Sequence, residues 1–401
     1  MKQIIIIGAG QAGCSAALKL RALGLTGSIK IIGEEAFPPY QRPPLSKGYL
    51  LGEVTRERLF LKPEASYAEN GIDLILGEPV TQIDATKQHV SVGQTPITYD
   101  DLILATGSTP MTLPSSIGGA LEGVYSIRTL TDIDAMASEF IESRRVLIVG
   151  GGYIGLEAAA VSTKMGLNVT VVEMAERILQ RVAAPETSNY FRKLHQDHGV
   201  DIREGVGLSR LVGTDHVTGA ELSNGDTLDV DFVLVGIGIR PNTALAEYAN
   251  VTIQNGIATD AFGQTSMPHI WAAGDCASFP FFGETIRLES VPNAIDQAEC
   301  VAANILGAQA EYVAKPWFWS DQYDVKLQIA GLNTGYDHVV VRKGATPPAV
   351  SHWYYAGARL LAVNAMNAPR DFMIGRRLIE GGKSPDPNTV ADPTTDLKSL
   401  I

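Results

Sequence analysis

Gly8-Ala9-Gly10-Gln11-Ala12-Gly13 follows the apolar run Ile4-Ile5-Ile6-Ile7, and Gly150-Gly151-Gly152-Tyr153-Ile154-Gly155 follows Val146-Leu147-Ile148-Val149. These two stretches decide the fold. In each, the first glycine permits a tight turn out of a strand and the second lets backbone N–H groups approach a pyrophosphate. The third lets the ensuing helix pack close to the sheet. A phosphate then sits at a helix N-terminus, where unpaired N–H groups and the helix dipole favour negative charge. One glycine-rich turn can be purely structural. Two, each followed by a strand ending in an acid, point to ligand chemistry. Those strands are Ile29-Lys30-Ile31-Ile32-Gly33-Glu34 and Val169-Thr170-Val171-Val172-Glu173. Glu34 and Glu173 fall near the ~20-residue spacing of a carboxylate that holds a ribose 2′-hydroxyl. The chain therefore reads as a holder of two dinucleotides, one through Gly8, Gly10, Ala12 and Gly13, the other through Gly150, Gly152, Tyr153, Ile154 and Gly155.

A length of 401 residues implies two or three domains. With 19% charged and 45% apolar residues the composition is that of an ordinary globular protein. No apolar stretch approaches the ~20 residues of a membrane span. The first strand begins almost at Met1, so a cleaved leader would remove the first glycine motif, and a cytoplasmic location is expected. The net charge of -12 argues against nucleic-acid binding. From Lys315 onward, however, ten Lys and Arg face eight Asp and Glu, and three of the four tryptophans lie there. The three cysteines, Cys14, Cys276 and Cys300, form no C-x-x-C or C-x-x-x-x-C pair, so no local dithiol centre exists. Cys14 is expected to pack. His195 and His198 share a helical spacing without a third ligand nearby in sequence, which suggests a solvated helix face and no metal site.

The first 33 residues read strand, helix, strand, with the helix over 13–23. A proline-rich loop follows, and alternating segments at 80–83 and 89–92 suggest a small antiparallel insert. The run Leu102-Ile103-Leu104-Ala105-Thr106-Gly107 and the run Phe232-Val233-Leu234-Val235, which leads to Gly238, read as buried strands with glycine turns where the chain crosses between domains. Short alternating segments at 326–330, 339–342, 352–355 and 360–365 precede a helix over 369–380, and residues 381–401 read as an extended tail. The expected fold class is α/β, with two Rossmann-like dinucleotide-binding domains plus a C-terminal α+β domain. The first nucleotide domain comprises 1–110 and 241–315, interrupted by the second at 111–240, and the last domain covers 316–401.

The longer strings narrow the family. Arg42-Pro43-Pro44-Leu45-Ser46-Lys47, Gly150-Gly151-Gly152-Tyr153-Ile154-Gly155-Leu156-Glu157, Glu289-Ser290-Val291-Pro292-Asn293-Ala294 and Pro316-Trp317-Phe318-Trp319-Ser320-Asp321-Gln322 occur in the order of the two-dinucleotide flavoprotein reductases, together with Ala105-Thr106-Gly107 and Gly274-Asp275. Over essentially its whole length the chain resembles the FAD-dependent ferredoxin reductases of bacterial cytochrome P450 and aromatic-ring oxygenase systems. The resemblance implies a glutathione-reductase-like architecture and non-covalent FAD. It assigns Glu34 to the adenosine ribose, Val80 to the adenine side, and Arg42, Lys47 and Arg128 to positions along the FAD. Gly274, Asp275 and the backbone at Val291 hold the ribityl chain and ring edge, and Trp319 is placed near the flavin. The reaction implied is electron transport: NADH reduces FAD by hydride transfer, and electrons pass singly to a [2Fe–2S] ferredoxin that supplies a cytochrome P450 or related oxygenase.

Lys47 and Glu157 suggest a buried pair that neutralises two desolvated charges and tunes the site. Glu173 favours NADH over NADPH, because a carboxylate accepts from a 2′-hydroxyl and repels a 2′-phosphate. No cysteine lies in 43–47, where the disulfide reductases of this superfamily carry their pair, so electrons leave by another route. The alternatives are an NADH oxidase, or a redox-controlled interaction protein of the apoptosis-inducing-factor type. A basic patch of Arg342, Lys343, Arg370, Arg376 and Arg377, joined by Arg287, is the expected dock for the ferredoxin.

Overall fold

The computed structural model describes residues 1–344 and 348–401. Its backbone groups into two compact units. The first is Met1–Arg42, Thr55–Thr109 and Ile239–Pro316; the second is Pro43–Val54, Pro110–Gly238 and Trp317–Ile401.

In the first unit five parallel strands lie in the order Ile270–Ala272, Asp101–Leu104, Gln3–Ile7, Ser28–Gly33, Ile72–Leu76. Side chains alternate across a strand, so a run of four isoleucines covers both faces of a sheet buried on each side. Ile4 and Ile6 meet Ala12, Ala16, Ala17 and Leu20 of the helix Gln11–Ala22, and Ala298, Val301 and Ala302 of the helix Val291–Ile305. Ile5 and Ile7 meet Val80, Ile83 and Val90 of the antiparallel insert, together with Ala246 and Val251. The alanine-rich helix face permits close approach to the sheet.

The second unit repeats the device. Parallel strands run Asp201–Glu204, Asn168–Glu173, Arg145–Val149, Phe232–Val235, Val124–Ser126, and the helix Tyr153–Lys164 follows the central one. The same unit contains a five-stranded antiparallel sheet in the order Trp317–Gln322, Val325–Gly331, Arg359–Met366, Val350–Ala356, His338–Lys343. The helix Pro369–Glu380 packs on it through Ile374 and Leu378 against Trp353 and Val363. Leu156 and Ile178 join Val325, Leu327 and Met366 in one core, which ties the central helix to this sheet.

The C-terminal stretch corrects the expectation of an extended tail. It forms a helix, Pro387–Ala391, and a final turn, Leu397–Leu400. Val390 and Leu397 are buried with Trp353, Tyr355 and Leu360. Its polar composition masks two anchors, each contributing about 1.5–3 kcal/mol on burial. The strand Trp317–Gln322 is not legible in the sequence, because its three leading aromatics conceal the alternation that shows only at Ser320 and Gln322.

Candidate functional site

The two glycine motifs have matching geometry. The Gly8 N–H donates to Ile32 O at 2.8 Å and the Gly150 N–H to Val172 O at 2.8 Å, pinning each turn to the next strand. Gly8 and Gly150 have φ of 121° and 110°, and a Cβ on either would strike the backbone of Ala105 or Gly236. A Cβ at Gly13 would lie 2.0 Å from Gly8 O, and one at Gly155 2.1 Å from Gly150 O. Those four glycines serve packing. Gly10 and Gly152 do not: a Cβ there meets no heavy atom within 4 Å. Each caps the N-terminus of a 12-residue helix with no side-chain hydrogen bond. Bareness at these two positions serves an approach from outside, which fits the pyrophosphate of a dinucleotide.

The acids differ between the motifs. Ile7 pairs with Ile32 and Val149 with Val172, so Glu173 corresponds to Gly33, and Glu34 lies one residue further on. A side chain at Gly33 would run into Ala9 Cβ at 2.6 Å. Glu173 Oε2 accepts the Gly151 N–H at 2.7 Å and Oε1 the Ala175 N–H at 2.8 Å. Glu34 is exposed and has no hydrogen bond or ion pair among the described residues.

Glu35, which the sequence did not single out, organises the loop beyond Glu34. Its Oε1 accepts from Arg42 Nη2 at 2.6 Å and its Oε2 from Tyr40 OH at 2.5 Å. Burial works against the Arg42 guanidinium, but Tyr40, Glu35 and Asp275 outweigh it and hold the pKa above its ordinary value. Asp275 Oδ2 accepts from Ser108 Oγ at 3.0 Å, and Gly274, at φ 82°, donates its N–H to Gln297 Oε1 at 2.9 Å. Val291 opens its helix behind the Ser290 cap. Thr106 and Gly107 bond to Asn242, with Thr106 Oγ1 donating to Asn242 O at 2.7 Å and the Asn242 N–H to Gly107 O at 3.0 Å. Ala105 and Val80 are buried. The first unit thus gathers Gly8, Gly10, Ala12, Gly13, Glu34, Arg42, Val80, Ala105, Thr106, Gly107, Gly274, Asp275 and Val291.

Lys47, Arg128, Trp319 and Gly238 belong to the second unit with the second motif. Arg128 donates its backbone N–H to Asp132 Oδ2 beside the capping box of Thr129. Trp319 is half-buried, its ring 5.5 Å from that of Trp317. Ile154 is exposed and Tyr153 lies against Phe318 at 5.2 Å.

Lys47 and Glu157 do meet. Lys47 Nζ lies 2.6 Å from Glu157 Oε2, with side-chain exposures of 20% and 6%. Two hydroxyls complete the carboxylate's shell: Ser46 Oγ donates to Oε2 at 2.9 Å and Ser320 Oγ to Oε1 at 2.7 Å. Neither serine was foreseen. Ser46 directly precedes Lys47 in the chain, which is the signal that could have found it.

Two surface readings are corrected. His195 is fully buried, its Nε2 2.8 Å from Gln322 Oε1, whereas His198 is exposed and stacks on Tyr323. Arg342 and Arg287 have side-chain exposures of only 9% and 10%. Arg370 pairs with Asp396 and Arg376 with Glu380 at 2.6 Å. The basic patch shrinks to Lys343 and Arg377 with two already neutralised arginines. Cys14 packs as expected, buried with Sγ 3.2 Å from Tyr67 OH.

Paired dinucleotide cradles on parallel sheets define a nucleotide-linked oxidoreductase. The chain belongs to the pyridine nucleotide-disulphide oxidoreductase family, whose model matches residues 2–298, and the reductase C-terminal model matches residues 317–401. It is 42% identical to rhodocoxin reductase of Rhodococcus erythropolis over 99% of this chain and 94% of that protein. It is 39% identical to putidaredoxin reductase of Pseudomonas putida over 99% of this chain and 96% of that protein. A crystal structure of the covalent putidaredoxin reductase–putidaredoxin complex superposes with a TM-score of 0.96 at 39% identity, covering 100% of this chain and 98% of that one. Among the described residues no helix is long and apolar enough to cross a membrane.

Proposed function

We propose that the protein is a ferredoxin–NAD(+) reductase, an FAD-dependent cytoplasmic oxidoreductase that takes electrons from NADH and delivers them singly to a [2Fe–2S] ferredoxin feeding a cytochrome P450 or related oxygenase. The observation that carries this is the pair of open glycine cradles at Gly10 and Gly152 on a chain whose 43–47 segment holds Lys47 against Glu157 and no cysteine. Full-length similarity to rhodocoxin and putidaredoxin reductases supports it.

In this reading residues 1–110 and 241–315 hold FAD, 111–240 hold NADH, and 316–401 form the C-terminal domain, with 43–54 packing with the second unit. Gly10 receives the FAD pyrophosphate on the turn that Gly8 and Gly13 shape, Glu34 the adenosine ribose, and Asp275 the ribityl chain, with Ala12, Arg42, Val80, Ala105, Thr106, Gly107, Gly274 and Val291 lining the site. Lys47, Arg128 and Trp319 are assigned to FAD by the family resemblance. When bound, FAD accepts two electrons together and releases them one at a time, which matches a two-electron donor to a one-electron iron–sulfur partner. The chain's own work is positioning. Gly152 holds the NADH pyrophosphate on the turn that Gly150 and Gly155 shape, Tyr153, Ile154 and Gly238 line its path, and Glu173 holds the ribose. Glu157 fixes the Lys47 ammonium, so that a defined charge pair, and no mobile acid, stands in the site.

The test is release and turnover. The purified protein should be yellow, denaturation should release FAD and not FMN, and NADH should reduce cytochrome c only when a [2Fe–2S] ferredoxin is added. Release of FMN, failure to bind FAD, or NADH-dependent oxygen consumption unaffected by ferredoxin would refute the assignment.

A further inference from the structure

A line of hydrogen bonds runs from Glu157 through the interior of the second unit. Ser320 Oγ is 2.7 Å from Glu157 Oε1, and Gln322 Nε2 is 3.1 Å from Ser320 Oγ. Gln322 Oε1 lies 2.8 Å from His195 Nε2, and His195 Nδ1 lies 3.2 Å from Tyr323 OH. Ser320, Gln322 and His195 are each 0% exposed. Ser320 and Gln322 sit two apart on the strand Trp317–Gln322 and therefore share a face, while His195 is in the last turn of the helix Pro185–Asp197.

Donor and acceptor rules allow one orientation throughout. Glu157, ion-paired with Lys47, can only accept. The single Ser320 O–H therefore goes to Glu157, and the Ser320 oxygen takes a proton from the Gln322 amide. That turns the Gln322 carbonyl to His195, which must carry its proton on Nε2 and accept the Tyr323 hydroxyl on Nδ1. A flipped amide would leave Gln322 Oε1 and Glu157 Oε1 competing for one serine proton, inside a core where an unmatched polar group is destabilising. Every donor thus points toward Glu157. An amide does not hand on a proton without becoming an imidic acid, so the line orients and does not conduct.

We propose that Ser320 and Gln322 of the C-terminal sheet and His195 of the helix Pro185–Asp197 are positioning residues that lock the Glu157 carboxylate and, through it, the Lys47 ammonium. The Lys47–Glu157 pair lies between the loop 43–47 and the central helix Tyr153–Lys164, and neither fixes the carboxylate's second oxygen. Ser320 does, and Ser320 is in turn held by Gln322 of its own strand and, through it, by His195 of the helix Pro185–Asp197. Its relevance to turnover rests on the NADH-to-FAD reading above; the orientation of the line does not.

Two measurements on the FAD-loaded protein test this. In protein carrying ¹⁵N-histidine, the His195 signal, assigned by its loss in His195→Gln, should report a neutral ring protonated on Nε2 at neutral pH. The Nδ1–H tautomer or a charged ring would overturn the orientation. In rapid-reaction kinetics Ser320→Ala and Gln322→Leu should slow flavin reduction by NADH roughly tenfold to a hundredfold, the scale of a small misplacement, with the NADH dissociation constant unchanged. His195→Gln, whose amide nitrogen takes the place of Nε2, should remain near the unmodified rate, whereas His195→Leu should follow Gln322→Leu. In a Glu157→Ala background, which removes the acceptor, Ser320→Ala should add nothing. Equal slowing in that background, or no slowing in the single variants, would overturn the positioning role. If Ser320→Ala fails to fold, Gln322→Met carries the same comparison. An unmodified protein that NADH does not reduce would sink the functional reading and leave the tautomer result standing.

Discussion

The Glu173 carboxylate folds back onto its own glycine motif, accepting the Gly151 N–H at 2.7 Å. Together with the bond from the Ala175 N–H, this fixes a negative charge beside the cradle. A 2′-hydroxyl can donate to that charge and a 2′-phosphate is repelled. Met174 next to it is 81% exposed, so an arginine there has room to reach a phosphate. Glu173→Ser with Met174→Arg should lower the NADH-to-NADPH ratio of kcat/KM by roughly a hundredfold, ~3 kcal/mol. Steady-state rates with both nucleotides check it. Equal use of the two by the unmodified protein would show that Glu173 does not discriminate.

His195 and His352 are buried, and burial pushes each imidazole down to about 4. His352 Nδ1 meets Thr187 Oγ1 at 2.7 Å and is otherwise enclosed. In the unfolded chain both titrate near ~6.5. Below that pH the unfolded state binds protons that the folded state refuses, so stability falls as pH drops from about 6.5 towards 4 and then levels. Each ring should cost on the order of 3 kcal/mol across that window. Urea unfolding at stepped pH measures it, and His352→Gln should flatten part of the slope. A slope confined to below pH ~4 would assign acid sensitivity to carboxylates instead.

The legible parts of this fold are those where the code is local. The strands Gln3–Ile7 and Arg145–Val149 announce themselves by unbroken apolar runs closed by glycines, and the helix Pro369–Glu380 lies where its periodicity placed it. Lys47 and Glu157 were paired from motif context across 110 residues, and they meet at 2.6 Å. What stayed hidden depends on long-range burial. His195 has the spacing of a surface residue, and only its neighbours Gln322 and Tyr323, over a hundred positions away, make it a core residue. Arg342 looked like a surface cation because nothing nearby in sequence offers it a partner.

Arg342 instead clamps the C-terminal segment. Its Nη1 donates to Val390 O at 2.9 Å and to Asp392 O at 2.5 Å, and its Nη2 donates to Pro393 O at 3.3 Å and Thr395 O at 2.9 Å. A planar fork with several fixed donors is suited to four carbonyls, and a lysine ammonium cannot span them. Arg342→Ala should cost about 3 kcal/mol, since charged hydrogen bonds are lost and buried carbonyls are left unmatched. Arg342→Lys should recover little of it. Limited proteolysis should then cut within 383–396 while the remainder of the chain stays intact. An unchanged cleavage pattern would mean that Val390 and Leu397 alone hold the segment.

The Lys47–Glu157 pair should respond asymmetrically to losing either partner. Glu157 is the more buried member, and without Lys47 its charge is left with only the Ser46 and Ser320 hydroxyls. Lys47 keeps partial exposure and lies 3.3 Å from Pro43 O, so without Glu157 it can turn to water. Lys47→Met should therefore destabilise by about 3 kcal/mol or more, as expected for an uncompensated buried charge. Glu157→Gln, which retains an acceptor for Ser320, should cost about 1 kcal/mol. The double variant Lys47→Met with Glu157→Gln should be more stable than Lys47→Met alone, because the stranded anion is gone. Denaturant midpoints of the four proteins at one pH decide the matter. A double variant no more stable than Lys47→Met would show that lost packing of the lysine stem, and not stranded charge, sets the cost.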